Sequence, residues 1–339
     1  MRGARLSRLA ETPVNRTDQV LRMNEPFPTD QAGPTPASAA FDRSRLARGI
    51  AAGAGAALIW GLQSVVSRQS VAEGLTAGDV TVLRFAVAGL VLMPLALRMR
   101  PFAIGALGLR RAVTLTVLIG PLYSLLLVGG AAFAPAIHAS VIASGANPVL
   151  AMLVGVLYAR ERAGPLRALG ALMIVCGLIL FSWHALVDAG ARQGAWRGDL
   201  LFCCNAVLFV TYARLVQAWN VPARAATTTV SVLSLLTLPL WAFALSSGFA
   251  QASAIAILWQ ALVQGLGVGV VATLLFTACV ELIGPVRAAM FIPLMPITTA
   301  VAGALMLSEW PQPLEWAGMA VVLAGMALAF AAPVTRYPK

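Results

Sequence analysis

Polar residues are scarce along this chain and fall in clusters, leaving apolar stretches of about twenty residues between them. Such stretches run near 48–67, 79–98, 111–131, 135–157, 166–183, 198–217, 224–247, 256–280, 285–307 and 314–332. Each is long enough to cross a hydrocarbon core of about 30 Å at about 1.5 Å per residue, so each predicts a transmembrane helix. No run of about ten residues alternates apolar and polar positions as a membrane β-strand requires. The expected fold class is therefore an all-α polytopic membrane protein with about ten transmembrane helices.

The first 46 residues are different in kind. They are rich in Pro, Arg, Thr and Asp, as in Glu25-Pro26-Phe27-Pro28-Thr29-Asp30 and Gly33-Pro34-Thr35-Pro36, and hold no apolar run. This composition predicts a disordered cytoplasmic tail over 1–46. No apolar segment follows Arg2, Arg5 and Arg8 at signal-peptide distance, so a cleaved secretory signal is not expected. A transit peptide, or a translation start at Met23, are the alternatives for this stretch. Residues 333–339 form a second short tail.

Composition agrees with the pattern, because 59% hydrophobic and 11% charged residues, with a mean hydropathy of +0.83, leave too little polar surface to coat a water-soluble globule. The formal charge of +11 is explained by where the basic residues sit. With the N-terminus inside, Arg43, Arg45, Arg48, Arg98, Arg100, Arg110, Arg111, Arg160, Arg162, Arg167, Arg214, Arg224, Arg287, Arg336 and Lys339 fall on the inner side, against Arg68, Arg192 and Arg197 outside. That bias predicts both termini in the cytoplasm of a multi-pass plasma-membrane protein, the inner membrane in a bacterium. The basic collar leaves no charge that needs a nucleic acid to explain it. The expected partners are the lipid bilayer and a small-molecule substrate, and the oligomeric state stays open.

An internal repeat carries more information than any single residue. Slid by a constant 148 positions, Pro148 falls on Pro296, Gly155 on Gly303, Leu157 on Leu305, Glu161 on Glu309, Pro165 on Pro313, Leu166 on Leu314, Gly170 on Gly318 and Gly177 on Gly325. Spans four and five are thus copied as spans nine and ten. Five spans per half is an odd number, so the second half must lie inverted relative to the first. The loops agree, since Arg160, Arg162 and Arg167 mark the four-to-five loop as inner while the nine-to-ten loop carries Glu309 and Glu315. The expected organisation is one five-helix repeat over 47–183 and a second, inverted, over 197–332. Inverted repeats are a transporter architecture, with the site near the midplane between the halves.

These residues resemble the drug/metabolite transporter superfamily, and within it the EamA-type transporters with two five-helix halves. The resemblance runs over roughly 48–332. It rests on Ala57-Leu58-Ile59-Trp60-Gly61 in the first span, on Leu83-Arg84-Phe85 with Ala88-Gly89 and Pro94 in the second, and on the repeated Pro, Gly-x-Leu, Glu, Gly and Gly. The first copy departs from the family pattern, Tyr158-Ala159-Arg160-Glu161 replacing the usual apolar-Gly-Glu run. The resemblance implies a secondary carrier, often an exporter of amino acids or other metabolites, working by alternating access. A carrier of apolar or cationic compounds is the alternative, and a channel or structural membrane protein a further one.

Substrate-path candidates are the polar residues and helix breakers inside spans, because unpaired polar groups are expensive in lipid. Arg84 lies about five residues inside span two with no carboxylate at helical spacing in that span. It is placed either to pair with a substrate carboxylate or to snorkel and fix another helix. Pro148 and Pro296 are expected mid-span, each freeing the carbonyl four residues earlier, those of Ser144 and Ile292. These interruptions mark either the site or a packing kink. Ser140, Ser144 and Asn147 share a face and offer neutral hydrogen bonds. Trp60, Gln63, Ser64 and Ser67 on span one, Thr227, Ser231 and Ser234 on span seven, and Gln260 and Gln264 on span eight are weaker candidates, equally readable as glue between helices. Tyr123 and Trp60 offer stacking surfaces.

Asp79, Glu161, Asp199, Glu281 and Glu309 all sit at span ends, so no carboxylate is expected mid-membrane to carry a proton. His138, near the outer end of span four, is the alternative titratable group, or else a packed neutral histidine. An enzyme is not expected: the only histidines are His138 and His184, and there is no His-Glu-x-x-His helix, nucleophile elbow or phosphate loop. Cys176, Cys203, Cys204 and Cys279 lie within spans and read as packing residues rather than a metal site. No cofactor, metal or catalytic residue is assigned.

Overall fold

The computed structural model describes residues 36–99, 107–159, 164–183, 194–244 and 247–331, and every regular element among them is a helix. In order they are α1 (Pro36–Ala72), α2 (Ala77–Arg98), α3 (Leu109–Ile119), α4 (Pro121–Ala131), α5 (Ala136–Ala159), α6 (Pro165–Phe181) and α7 (Ala195–Ala218). There follow α8 (Ala223–Ala244), α9 (Ala254–Gln260), a π-helix (Ala261–Ala272), α10 (Thr273–Ile283), α11 (Pro285–Ala289), α12 (Leu294–Leu307) and α13 (Pro313–Ala331). Nine of the described segments are long and apolar enough to cross a membrane, and α6 is a shorter apolar helix. From Arg45 onward the chain is one compact unit.

Helix α1 begins at Pro36, inside the stretch expected to be a tail; proline suits a first helical position because its missing N–H would have no helical acceptor there. Residues 1–35, 332–339, Arg160, Glu161, Arg162 and His184 lie outside the described residues. Span three divides into α3 and α4 at Gly120-Pro121, where proline again supplies the first helical position. Helix α2 starts in a capping box: Asp79 N–H donates to Thr76 Oγ1 at 3.2 Å and Thr76 N–H to Asp79 Oδ2 at 2.9 Å. Asp79 also accepts from Ser247 Oγ at 2.9 Å and from Gly248 N–H at 2.7 Å, which ties the start of α2 to the segment after α8.

The two halves meet along α6 and α13, and glycines set the approach. A Cβ added at Gly170 would lie 2.7 Å from Gly325 O, and one at Gly325 would lie 2.7 Å from Gly170 O. At Gly177 the distance to Gly318 O would be 3.0 Å, and at Gly318 the distance to Gly177 O would be 2.8 Å. Any larger residue would push the backbones apart. The pairing of 170 with 325 and of 177 with 318 runs antiparallel. It is also reciprocal under the 148-residue shift, as a two-fold axis between inverted copies demands. Ile174, Phe181, Met319, Val322 and Met326 fill the space around it, with Ile137, Val141 and Ala300 from α5 and α12. Equivalent residues also keep equivalent surroundings: Leu157 and Leu305 are 71% and 79% exposed on the face available to lipid.

The copies part company in spans four and nine. Helix α5 runs unbroken through Pro148. Its counterpart is split into α11 and α12 by a turn at 290–293, so Pro296 is not mid-helix as expected but the third residue of α12. Proline in a first turn removes no intrahelical bond. The Ile292 carbonyl expected to be freed instead accepts the Met295 N–H at 3.0 Å. The cause is Pro293, which stands where the first copy has Gly145.

Candidate functional site

Arg84 faces the interior from the second turn of α2. Its Nε and Nη1 have no accessible surface and no hydrogen-bond partner among the described residues. Its Cζ lies 5.6 Å from the ring centre of its neighbour Phe85, and its charge acts on Tyr123 of α4. The surroundings are held by polar bonds between helices. Asn205 of α7, 1% exposed, donates to the Tyr123 carbonyl at 2.8 Å, and Thr81 of α2 donates to Ser124 of α4 at 2.9 Å. On insertion scales an arginine at the centre of a membrane helix costs about 3 kcal/mol. A guanidinium with two unbonded buried nitrogens is an electrostatic demand that the described residues do not meet.

A second polar layer joins α1 to span eight at a similar depth. Gln260 Nε2 donates to the Val66 carbonyl at 3.0 Å and Gln264 Nε2 to Ser67 Oγ at 2.8 Å. Gln264 lies in the π-helix, whose extra residue per turn re-aims side chains and often marks a functional region. Both glutamine Oε1 atoms, and Gln63 Nε2 of α1, are buried without a partner among the described residues. The layer borders Arg84. The next residue, Gly265, packs so closely on Val87 that a Cβ there would sit 2.5 Å from the valine Cβ, and Val87 is one helical turn from Arg84.

The other candidates divide. Asn147 keeps a buried Oδ1 with no hydrogen-bond partner among the described residues. The hydroxyls of that face are already engaged: Ser144 Oγ donates to the Ser140 carbonyl and Ser140 Oγ to the Ile137 carbonyl at 3.0 Å. Such bonds to the preceding turn are what serine makes inside a helix when no outside partner wins. Pro148 still withholds an N–H from the Ser144 carbonyl. Trp60 is tilted against Phe276 of α10 with ring centres 5.1 Å apart, so part of its face is occupied.

His138 belongs to a different place. At the end of the bundle where α5, α7 and α13 begin, its Nδ1 lies 2.7 Å from Asp199 Oδ1 and its Nε2 3.4 Å from Glu315 Oε1. Histidine and glutamate side chains are each 1% exposed, and the Phe181 ring stands edge-on at 4.8 Å. Nearby, Arg68 Nε of α1 meets Glu309 Oε1 at 3.0 Å, and the Ala136 N–H donates to Glu309 Oε2 at 3.1 Å. Sequence reasoning placed Asp199 at a span end and Glu315 in the nine-to-ten loop but did not bring them to His138, from which they are 61 and 177 residues away. The two carboxylates flank opposite ring nitrogens rather than converging on one point, and no group of three His, Cys, Asp or Glu able to hold a metal is found among the described residues.

The model of the EamA-like transporter family matches residues 47–183 and again 196–331. No curated protein matches the chain. One solved crystal structure is similar at 19% identity and a TM-score of 0.54, covering 85% of this chain and 96% of its own, which shows a shared fold.

Proposed function

The chain belongs to the EamA-like transporter family and is a membrane transporter of small molecules; we propose that its substrates are amino acids or related carboxylates, exported across the plasma membrane by alternating access. The observation that supports this is Arg84, whose buried Nε and Nη1 have no partner among the described residues. A substrate carboxylate fits that pair of donors, since guanidinium and carboxylate make two parallel charge-assisted bonds. Gln63, Gln264 and Asn147 then offer neutral donors and acceptors to the rest of a polar solute. In this reading the membrane is the inner membrane of a bacterium, with both termini cytoplasmic, following the basic collar.

Counterflow in proteoliposomes without an imposed ion gradient tests the proposal, with labelled amino acids, other organic anions, organic cations and neutral solutes as probes. Saturable exchange of amino acids is expected, falling by about 10–100-fold in Arg84→Ala, as loss of a hydrogen bond to a charged group implies, and recovering partly in Arg84→Lys. Undiminished exchange in Arg84→Ala would remove the role given to the guanidinium. Exchange of cations alone would replace the substrate class.

A further inference from the structure

We propose that His138, Asp199 and Glu315 form a buried proton-binding site that latches one end of the bundle: the imidazole carries both ring protons while α5, α7 and α13 are together and gives one up when they part.

The geometry carries the argument. Both ring nitrogens face carboxylate oxygens, at 2.7 and 3.4 Å, and a ring can donate to both only when both nitrogens bear a proton. The carboxylates are placed to remain anions. Glu315 lies in the first turn of α13, where the helix dipole favours negative charge, and Asp199 lies one turn into α7. Glu315 also accepts the Gln312 N–H at 2.8 Å. The ring is therefore the group left to hold the proton.

Phe181 of α6 covers the ring with an uncharged edge. Glu309, between α12 and α13, is engaged by Arg68 and by the Ala136 N–H at the start of α5, and Cys203 lies one turn beyond Asp199 on α7. Asp199 Oδ2, buried and without a partner among the described residues, leaves a further acceptor where entering water would bind.

The site spans the two halves, His138 on the first and both carboxylates on the second, so motion of one half against the other at this end must separate them. When that happens, one ring N–H bond breaks, its electron pair stays on nitrogen and the proton passes to water at that end. Closure reverses the step. Acidifying that side therefore favours the closed form and slows transport.

Two measurements on the full-length protein test this. The first needs no substrate: nitrogen-15 NMR of histidine-labelled protein in nanodiscs, where His138 and His184 are the only two histidines and His138→Gln assigns the signals. The expected result is a His138 ring with two N–H groups at neutral pH in the wild type and with one in Asp199→Asn or Glu315→Gln. A singly protonated His138 ring in the wild type overturns the proposal.

The second is counterflow of a labelled amino-acid mixture with the pH on that side varied from about 8 to about 5, the range in which histidine titrates. Wild-type exchange should slow at least about threefold on acidification, and Asp199→Asn should give a flat profile. Equal profiles in the two proteins overturn it. Silence in counterflow counts against the substrate reading instead, because the NMR result stands without a substrate.

Discussion

Spans four and nine began as copies, and they no longer share a shape. One is the continuous helix α5, with Pro148 in its interior; the other is broken into α11 and α12, with Pro296 in a first turn. The shared proline does not decide the outcome. What differs is the residue three positions earlier, Gly145 in one copy and Pro293 in the other. A lone interior proline removes one hydrogen bond and a helix carries on around it, but two prolines three residues apart leave that turn without enough donors to hold together. By contrast α6 and α13, where the halves touch, have kept the same glycines at the same spacing, because each contact is made twice across the axis.

Transplanting the divergent residue gives the largest effect. Gly145→Pro should destabilise the protein by about 3 kcal/mol or more, helped by a site where an added Cβ already lies 3.1 Å from Leu178 Cδ2 and Val322 Cγ1. Thermal unfolding of the detergent-purified protein reads this directly. The reverse change, Pro293→Ala, should cost less than about 1 kcal/mol and raise the helical circular-dichroism signal. If the two substitutions weigh equally, the explanation of the broken span is wrong.

The conserved contact should answer symmetrically. Gly170→Val and Gly325→Val each place a side chain 2.7 Å from a carbonyl of the opposing helix, and each should cost about 1–3 kcal/mol. The two losses should agree within about 0.5 kcal/mol, and the double variant should cost less than their sum because both disturb one contact. Clearly unequal losses would mean that α6 and α13 are not related as equal partners.

Smaller effects are expected around the site. Asn205→Leu removes the side-chain donor to the Tyr123 carbonyl, which keeps its own helical bond, and should cost about 0.5–1.5 kcal/mol by the same unfolding assay. Pro148→Ala should change stability by less than about 1 kcal/mol, since one helix bond is regained. Its consequence belongs to transport: exchange should fall if the Ser144 carbonyl meets substrate and stay unchanged if the proline only shapes α5.

Much of this was legible in the sequence for definite reasons. The spans follow from length and apolarity, which lipid makes decisive, and the inversion follows from an odd number of spans per copy. Arg84 was visible because a charge inside an apolar run has no local explanation. The break in span nine was also written there, in Pro293, but the alignment of Pro148 with Pro296 drew the eye to what the copies share. The Ser140 and Ser144 hydroxyls looked available because periodicity shows which face a side chain is on and not whether its own helix has already taken its hydrogen. Asn205 and the partners of His138 were hidden for another reason. Their contacts join positions far apart in the chain, and only the packing of whole helices brings them together.

The glycine contact between α6 and α13 also sets a schedule for biosynthesis. Helix α13 lies 148 residues behind α6 in the repeat register, and at about 5–20 residues per second the ribosome delivers it roughly seven to thirty seconds later. Through that interval α6, with two glycines, Ile174 and Phe181 on its mating face, must wait in the bilayer with lipid or an insertion factor where its partner will dock. Helix α13 is made after every other described helix and closes the seam, so a ribosome that stops before it leaves a membrane-inserted chain whose glycine face has no partner.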